Sequence, residues 1–275
     1  HRTKMKTTSF TDILSQIADY KKVEVENSKK ETSIEELQQK PFFKRKCVSL
    51  KDAIADKEKN GIIAEFKRKS PSAGIINAKA DVKKVTTGYA KAGVSGLSVL
   101  TDEPSFGGSL QDLLVARQYN QIPILRKDFM LDEYQVYEAK AYGADAILLI
   151  AAMIDRHTCE KLAHLAHRLG LEVLLEVHNE TEISTHAGDY ADLIGVNSRD
   201  LKSFSTDLGQ AEKLYELLPA DQMKIAESGI NNPEDATNFK KIGFDGYLIG
   251  SRFMQTDEPE IACLEFSHQL KKSSL

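Results

Sequence analysis

The chain has 275 residues, with 37 Lys and Arg against 41 Asp and Glu, a formal net charge of −4 and 41% hydrophobic residues. This is ample material for one large α/β unit, and it excludes a disordered chain and a nucleic-acid binder held by bulk charge. The longest apolar run, from Ala146 to Ile154, is far shorter than the ~20 residues a membrane-spanning helix needs, so no membrane partner is expected.

Residues 1–4, ahead of Met5, read as a tag remnant, and no apolar stretch succeeds the basic start HRTKMKTTSF as a secretory leader would require. Residues 5–60 are polar and rich in Lys and Glu. Phe10, Ile13, Leu14 and Ile17 recur at helical spacing, Ser33-x-x-Glu36 matches a capping box before a second short helix, and Pro41-Phe42-Phe43 offers an apolar anchor. The segment 1–60 is expected to be a helical extension docked on the rest of the chain, within a single structural domain.

From residue 61, eight runs rich in Ile, Leu and Val alternate with stretches of helical period. They are GIIAEFK (61–67), SGLSVLTD (95–102), IPILRKDF (122–129), DAILLIAA (145–152), LEVLLEVH (171–178), ADLIGVN (191–197), MKIAESG (223–229) and DGYLIGS (245–251). Near-continuous apolar content suits strands buried on both faces of a parallel sheet. Between the fourth and fifth runs, Cys159, Leu162, Ala163, Ala166 and Leu169 lie on one helical face, and Gly170 ends that helix. Gly93, Gly143 and Gly243 stand in the same place before the second, fourth and eighth runs. Eight βα units over 61–275 predict a (β/α)8 TIM barrel. A doubly wound open sheet would carry a glycine-rich turn after its first strand, where this chain has KRKSPS.

In such a barrel the reactive end is where the strands finish. Glu65 and Lys67 end the first run, Asp102 the second, Lys127 and Asp128 the third, and Glu176 and His178 the fifth. Asn197 and Arg199 end the sixth, Glu227 and Ser228 the seventh, and Ser251 the eighth. Taken singly, each fits a structural layer of salt bridges at the barrel mouth. Two acids and two lysines converging there (Glu65, Lys67, Lys127 and Glu176) favour general acid–base work, because ionic groups leave water only at a cost of several kcal/mol each. Asp128 and Glu227 are read as supports that orient their neighbours. Ser228-Gly229-Ile230 and Ile249-Gly250-Ser251 have the small residues of a phosphate cradle, at the place where barrels often bind phosphate. KRKSPSAG (67–74) reads as a mobile basic lid over an anionic substrate.

Two other constellations are weak. Cys47, Cys159 and Cys263 are far apart and in no C-x-x-C spacing, so neither a disulfide framework nor a zinc site is expected, and a reducing cytoplasm is. His164 and His167 lie one turn apart, but no third metal ligand is near them in sequence. A solvated helix face is the reading there.

Taken together, AEFKRKSPS (64–72), LTDEPSFGGSLQDL (100–113), ILRKDF (124–129), LLEVH (174–178), GVNSRDL (195–201), AESGI (226–230) and LIGSRFM (248–254) closely resemble the indole-3-glycerol-phosphate synthase family of tryptophan biosynthesis. The resemblance runs from about Ile13 to Phe253 and includes a helical N-terminal extension. It implies a carboxy-lyase that closes the ring of 1-(2-carboxyphenylamino)-1-deoxyribulose 5-phosphate to indole-3-glycerol phosphate with loss of CO2 and water. It also implies no metal or organic cofactor and a small phosphorylated molecule as partner.

By family position Lys127 is the general acid of ring closure, and Glu176, Glu65 and Lys67 share the dehydration steps. Asn197 orients Glu65 and substrate hydroxyls, and Arg199 faces the anthranilate carboxylate. Phe106 and Phe129 wall the aromatic ring with Leu248 nearby. Ser70, Gly229, Gly250 and Ser251 match the phosphate cradle, with Ser228 beside them. Ser198 stands where the family more often has Asn, which touches fine tuning only. No second domain is expected after Leu275. The alternatives are another phosphate-binding barrel such as phosphoribosylanthranilate isomerase, whose reaction gives no reason for two Glu and two Lys, and a non-catalytic barrel that binds a phosphometabolite. A monomer is allowed, and docking with other enzymes of the pathway is left open.

Overall fold

The computed structural model describes residues 9–198 and 208–273. Helix α1 (Phe10–Glu31) opens at Ser9, whose hydroxyl accepts from the Asp12 N–H while the Asp12 carboxylate accepts from the Ser9 N–H. Two orphan N–H groups are thereby satisfied. Helix α2 (Ile34–Gln38) is capped by Ser33, whose hydroxyl accepts from the Glu36 N–H at 3.1 Å. The Glu36 carboxylate takes the Ser33 hydroxyl rather than its N–H, so only half of the expected capping box forms. Helix α3 (Leu50–Ala55) is capped by Ser49.

The eight apolar runs each contain one strand: β1 (Ile62–Phe66), β2 (Gly96–Leu100), β3 (Ile124–Lys127), β4 (Ala146–Ile150), β5 (Glu172–Val177), β6 (Leu193–Val196), β7 (Met223–Ala226) and β8 (Gly246–Ile249). All are parallel, and β1 pairs with both β2 and β8, so the described residues form a closed barrel with helices between successive strands. Each strand is shorter than its run because the terminal polar residues, among them Lys67, Asp102 and His178, leave the ladder and enter the loops. The helix expected between the fourth and fifth runs spans Arg156–Arg168, and Gly170 comes after it with φ 84°, the left-handed conformation that ends helices.

Side chains alternate across each strand. On β1, Ile62, Ala64 and Phe66 join the apolar layer beneath the helices, while Ile63 joins an inner stack with Leu125, Leu148, Leu174, Leu193, Ile225 and Leu248. At the start of the strands this stack meets Leu50 and Ile54 of α3. Glu172, the first residue of β5, holds α3 there by accepting from the Leu50 and Lys51 N–H groups at 2.6 and 3.1 Å and from the Ser49 hydroxyl at 2.9 Å. Leu14 and Ile17 of α1 join the same stack together with Phe129, just after β3.

One turn beyond Ile17, Lys21 is completely buried and bonds Asp102 at 2.8 Å and Asp128 at 2.9 Å, residues just past the ends of β2 and β3. The extension thus lies against the finishing ends of those strands. Phe43 adds the expected apolar anchor, stacked on Tyr137 with ring centroids 6.3 Å apart. Among the described residues no helix is long and apolar enough to cross a membrane.

Candidate active site

Parallel register sets the centre of the site. Glu65 of β1 lies opposite Ser98 of β2, and Leu100 of β2 opposite Lys127 of β3. Glu65, 2% exposed, accepts from the Ser98 hydroxyl at 2.8 Å and the Lys127 ammonium at 2.9 Å, with Lys67 at 3.5 Å from its other oxygen. Burial alone would raise the Glu65 carboxyl, but Lys127 and Lys67 outweigh it and hold it below the usual carboxylate range. Burial alone would likewise lower the Lys127 ammonium. Glu65, with Glu176 behind it, reverses that and keeps it above the ordinary lysine range.

Glu176 lies at the end of β5 and Glu227 just after β7. Burial pushes both carboxyls up, yet they part. His178 draws Glu176 below the usual range, while Glu227, facing the Glu176 charge, goes well above it. Neighbouring carboxyls in a dry place hold one proton between them, here on Glu227. The proton on Glu227 is shared with Glu176 in a side-chain hydrogen bond. Gly195 of β6 makes room for this side chain, since a Cβ there would lie 2.6 Å from Glu227 Cδ. Gly250 does the same for Glu65, because a Cβ there would come within 3.0 Å of the Glu65 side chain.

The loops after β1, β7 and β8 are neighbours because β8 pairs with both other strands. They carry Ser70, Ser228 with Gly229, and Gly250 with Ser251. Ser70 is buried and accepts from the Ala73 N–H at 3.2 Å. The Ser228 hydroxyl is buried without a partner among the described residues, and Gly229 has φ 78°. Ser251 is exposed and begins the short helix Ser251–Met254. On the apolar side, the rings of Phe106 and Phe129 lie 5.9 Å apart at 38° in one cluster with Leu248, Leu14, Ile17, Ile13 and Met153.

Asn197 lies just after β6 with its N–H bonded to the Val177 carbonyl at 3.0 Å. Arg199 lies outside the described residues. Asp128, next to Lys127 in sequence, faces away from it and bonds Lys21, Arg126 and Thr101. The lid expectation needs one change. Arg68 is not a loose cation, because its guanidinium makes a two-pronged pair with Asp112, donates to the Gly107 carbonyl and sits 4.9 Å from the Phe66 ring. Residues Lys69–Ser70 and Gly74–Ile75 also form a small antiparallel pair within that loop. His164 and His167 are exposed on their helix, with His167 2.7 Å from Asp192.

Sequence reasoning left Lys21 and His178 without roles. The signal for Lys21 was its place in the apolar stripe, four residues after Ile17. For His178 it was the i, i+2 spacing from Glu176, which puts both on one side of the strand end.

A family model described as indole-3-glycerol phosphate synthase matches residues 14–266. The indole-3-glycerol phosphate synthase of Bacteroides thetaiotaomicron is 47% identical over 248 residues, covering 90% of this chain and 95% of that one. That of Hyphomonas neptunium is 46% identical over 245 residues, covering 88% and 92%. Among solved structures, the tryptophan synthase alpha chain from Legionella pneumophila is similar in fold, with a TM-score of 0.59 at 12% identity over 82% of this chain and 95% of that chain.

Proposed function

The chain belongs to the indole-3-glycerol phosphate synthase family, and from that premise we propose which of its side chains perform the carboxy-lyase reaction on 1-(2-carboxyphenylamino)-1-deoxyribulose 5-phosphate. The observation that carries the assignment is Lys127, an ammonium kept charged by buried Glu65 and two residues from the aromatic wall at Phe129.

Lys127 donates a proton to the keto oxygen of the sugar chain as the aryl carbon attacks the carbonyl carbon. The new carbon–carbon bond leaves positive charge on the ring system, which the Glu65 and Glu176 carboxylates stabilise across a low-dielectric site. Loss of the carboxylate as CO2 returns its electron pair to the ring. Dehydration then removes one proton and one hydroxide. Glu176, ionised, takes the proton, and the Lys67 ammonium, which still holds its own proton, protonates the departing hydroxyl. Asn197 is assigned to orient Glu65 and the substrate hydroxyls, and Arg199, by family position, to the anthranilate carboxylate. Phe106, Phe129 and Leu248 pack the aromatic ring. Ser70, Ser228, Gly229, Gly250 and Ser251 hold the phosphate, a reading supported by the buried Ser228 hydroxyl, unpartnered among the described residues.

Residues 9–60 and the barrel are one structural domain in this reading, supported by the apolar stack they share and by the buried Lys21 pairs. The three free cysteines support work in a reducing compartment, the cytoplasm. The test is turnover of the carboxyphenylamino substrate, with indole fluorescence and CO2 release followed together. Equimolar indole-3-glycerol phosphate and CO2 are expected. Binding without CO2 release, or isomerisation of the sugar alone, would overturn the assignment.

A further inference from the structure

Glu176 does not stand alone at the end of β5. His178 Nε2 is 3.1 Å from Glu176 Oε2, and His178 Nδ1 is 2.9 Å from Glu182 Oε1. Glu182 sits in the first turn of the helix Glu180–His186, capped by Asn179, and its Oε1 also accepts from the His178 N–H at 3.0 Å. Its Oε2 accepts from the Asn179 carboxamide at 3.1 Å. The backbone, the cap and the imidazole therefore lock Glu182, and Glu182 locks the ring.

An ionised carboxylate only accepts hydrogen bonds, and a neutral imidazole has one donor. Carboxylates on both ring nitrogens are satisfied together only by an imidazolium. We propose that His178, carried as an imidazolium between Glu182 and Glu176, is a positioning residue of the acid–base centre that holds the Glu176 carboxylate in place and ionised. This rests on the role given to Glu176 above.

The charges around the pair agree in direction. Glu176 faces His178 on its own strand end, Lys127 from β3 and Glu227 from beyond β7, and His178 faces Glu176 and Glu182. Burial would lower the imidazole, but the two carboxylates raise it to about 10, so it stays charged through neutral pH. Burial would raise Glu176, and the bond from His178 is the largest influence lowering it. Since Glu176 is held low, it remains a proton acceptor down to acid pH, and the single proton of the carboxyl pair stays on Glu227. Without the imidazolium, Glu176 loses its main counter-charge and competes with Glu227 for that proton. The base is then partly protonated at a pH where the wild type is fully ionised.

The test has two parts. First, the ring nitrogens of His178 are titrated by NMR in the wild-type protein, where an imidazolium at pH 7.5 is expected. A neutral ring there overturns the proposal, whatever the enzyme turns over. Second, His178→Gln removes the charge and His178→Arg keeps it. His178→Gln is expected to lower kcat about 10–100-fold, the range for partners that orient a reactive group. It should also move the acid limb of kcat/KM upward by about 1–3 pH units, the effect of losing a close opposite charge, with KM changed far less than kcat. His178→Arg should leave the limb near the wild-type position. A limb unmoved in folded His178→Gln overturns the proposal. Absence of turnover in the wild type would sink the functional reading while the titration still judges the clamp.

Discussion

Arg126, Lys127 and Asp128 are consecutive, yet they belong to two charge clusters of opposite character. Lys127 faces the barrel interior with Glu65, Lys67, Glu176 and Glu227, while its neighbours face the helices. In the outer cluster, Lys21 bonds Asp102, Asp128 and Glu24, and Arg126 bonds Asp128 and Glu138. Every charge of that chain is answered. In the inner cluster the lysines keep 13–18% side-chain exposure, and the Ser228 hydroxyl beside it is buried without a partner among the described residues. Full satisfaction fixes a structure, whereas incomplete satisfaction leaves groups for another molecule. The outer cluster still serves the site. Asp102 caps the short helix that carries Phe106, and Asp128 accepts from the Phe129 N–H at 2.7 Å, so the acids bridged by Lys21 hold both residues of the proposed aromatic wall.

This contrast can be broken most directly at Lys127. Lys127→Ala should lower kcat by about 10²–10⁴, the contribution of a positioned acid, with a melting temperature near wild type. A variant that melts early but turns over normally would place Lys127 in the structural cluster. Lys21→Met should do the reverse. It strands two buried carboxylates, Asp102 and Asp128, and should cost about 3–5 kcal/mol in a urea unfolding titration, the usual penalty for breaking a buried pair. The folded fraction should keep its kcat while KM rises, since the wall loses its support. The smallest effect is expected at Arg68, a partly exposed pair with Asp112. Arg68→Gln should change kcat/KM by no more than about five-fold, in line with about 1 kcal/mol for such pairs, and should leave its dependence on ionic strength as in wild type. A flattened salt dependence would show that the Arg68 charge steers substrate despite Asp112.

The strands were legible because burial on both faces makes them continuous apolar runs, and the gathering of charges at their finishing ends because those charges interrupt the runs. The Ser33 cap was legible because its signal is local, contained in four residues. Lys21 was hidden because its partners are remote, and Asp128 because three adjacent charges do not announce which face each takes. The same limit kept His178 unread, since its clamp needs Glu182 from the next helix. The small pair of strands within 69–75 carries no apolar signal and was read only as loop. The lid was read from its charges alone, and the Asp112 that holds Arg68 belongs to a helix more than 40 residues further along the chain.

The ties of the extension have a consequence for the order of assembly. Tyr20 bonds Asp102 across 82 residues, Arg45 bonds Asp145 across 100, and Ser49 bonds Glu172 across 123. A chain made from its N-terminus therefore releases the extension long before its anchors exist. Lys21 stays in water until β2 and β3 are finished, and α3 has no cap from Glu172 until β5 begins. Contacts of such long range are slow to form because loop-closure entropy is met before they return any stability. The one N-terminal segment that covers both barrel ends therefore meets all of these anchors only once the fifth of the eight strands has begun to emerge.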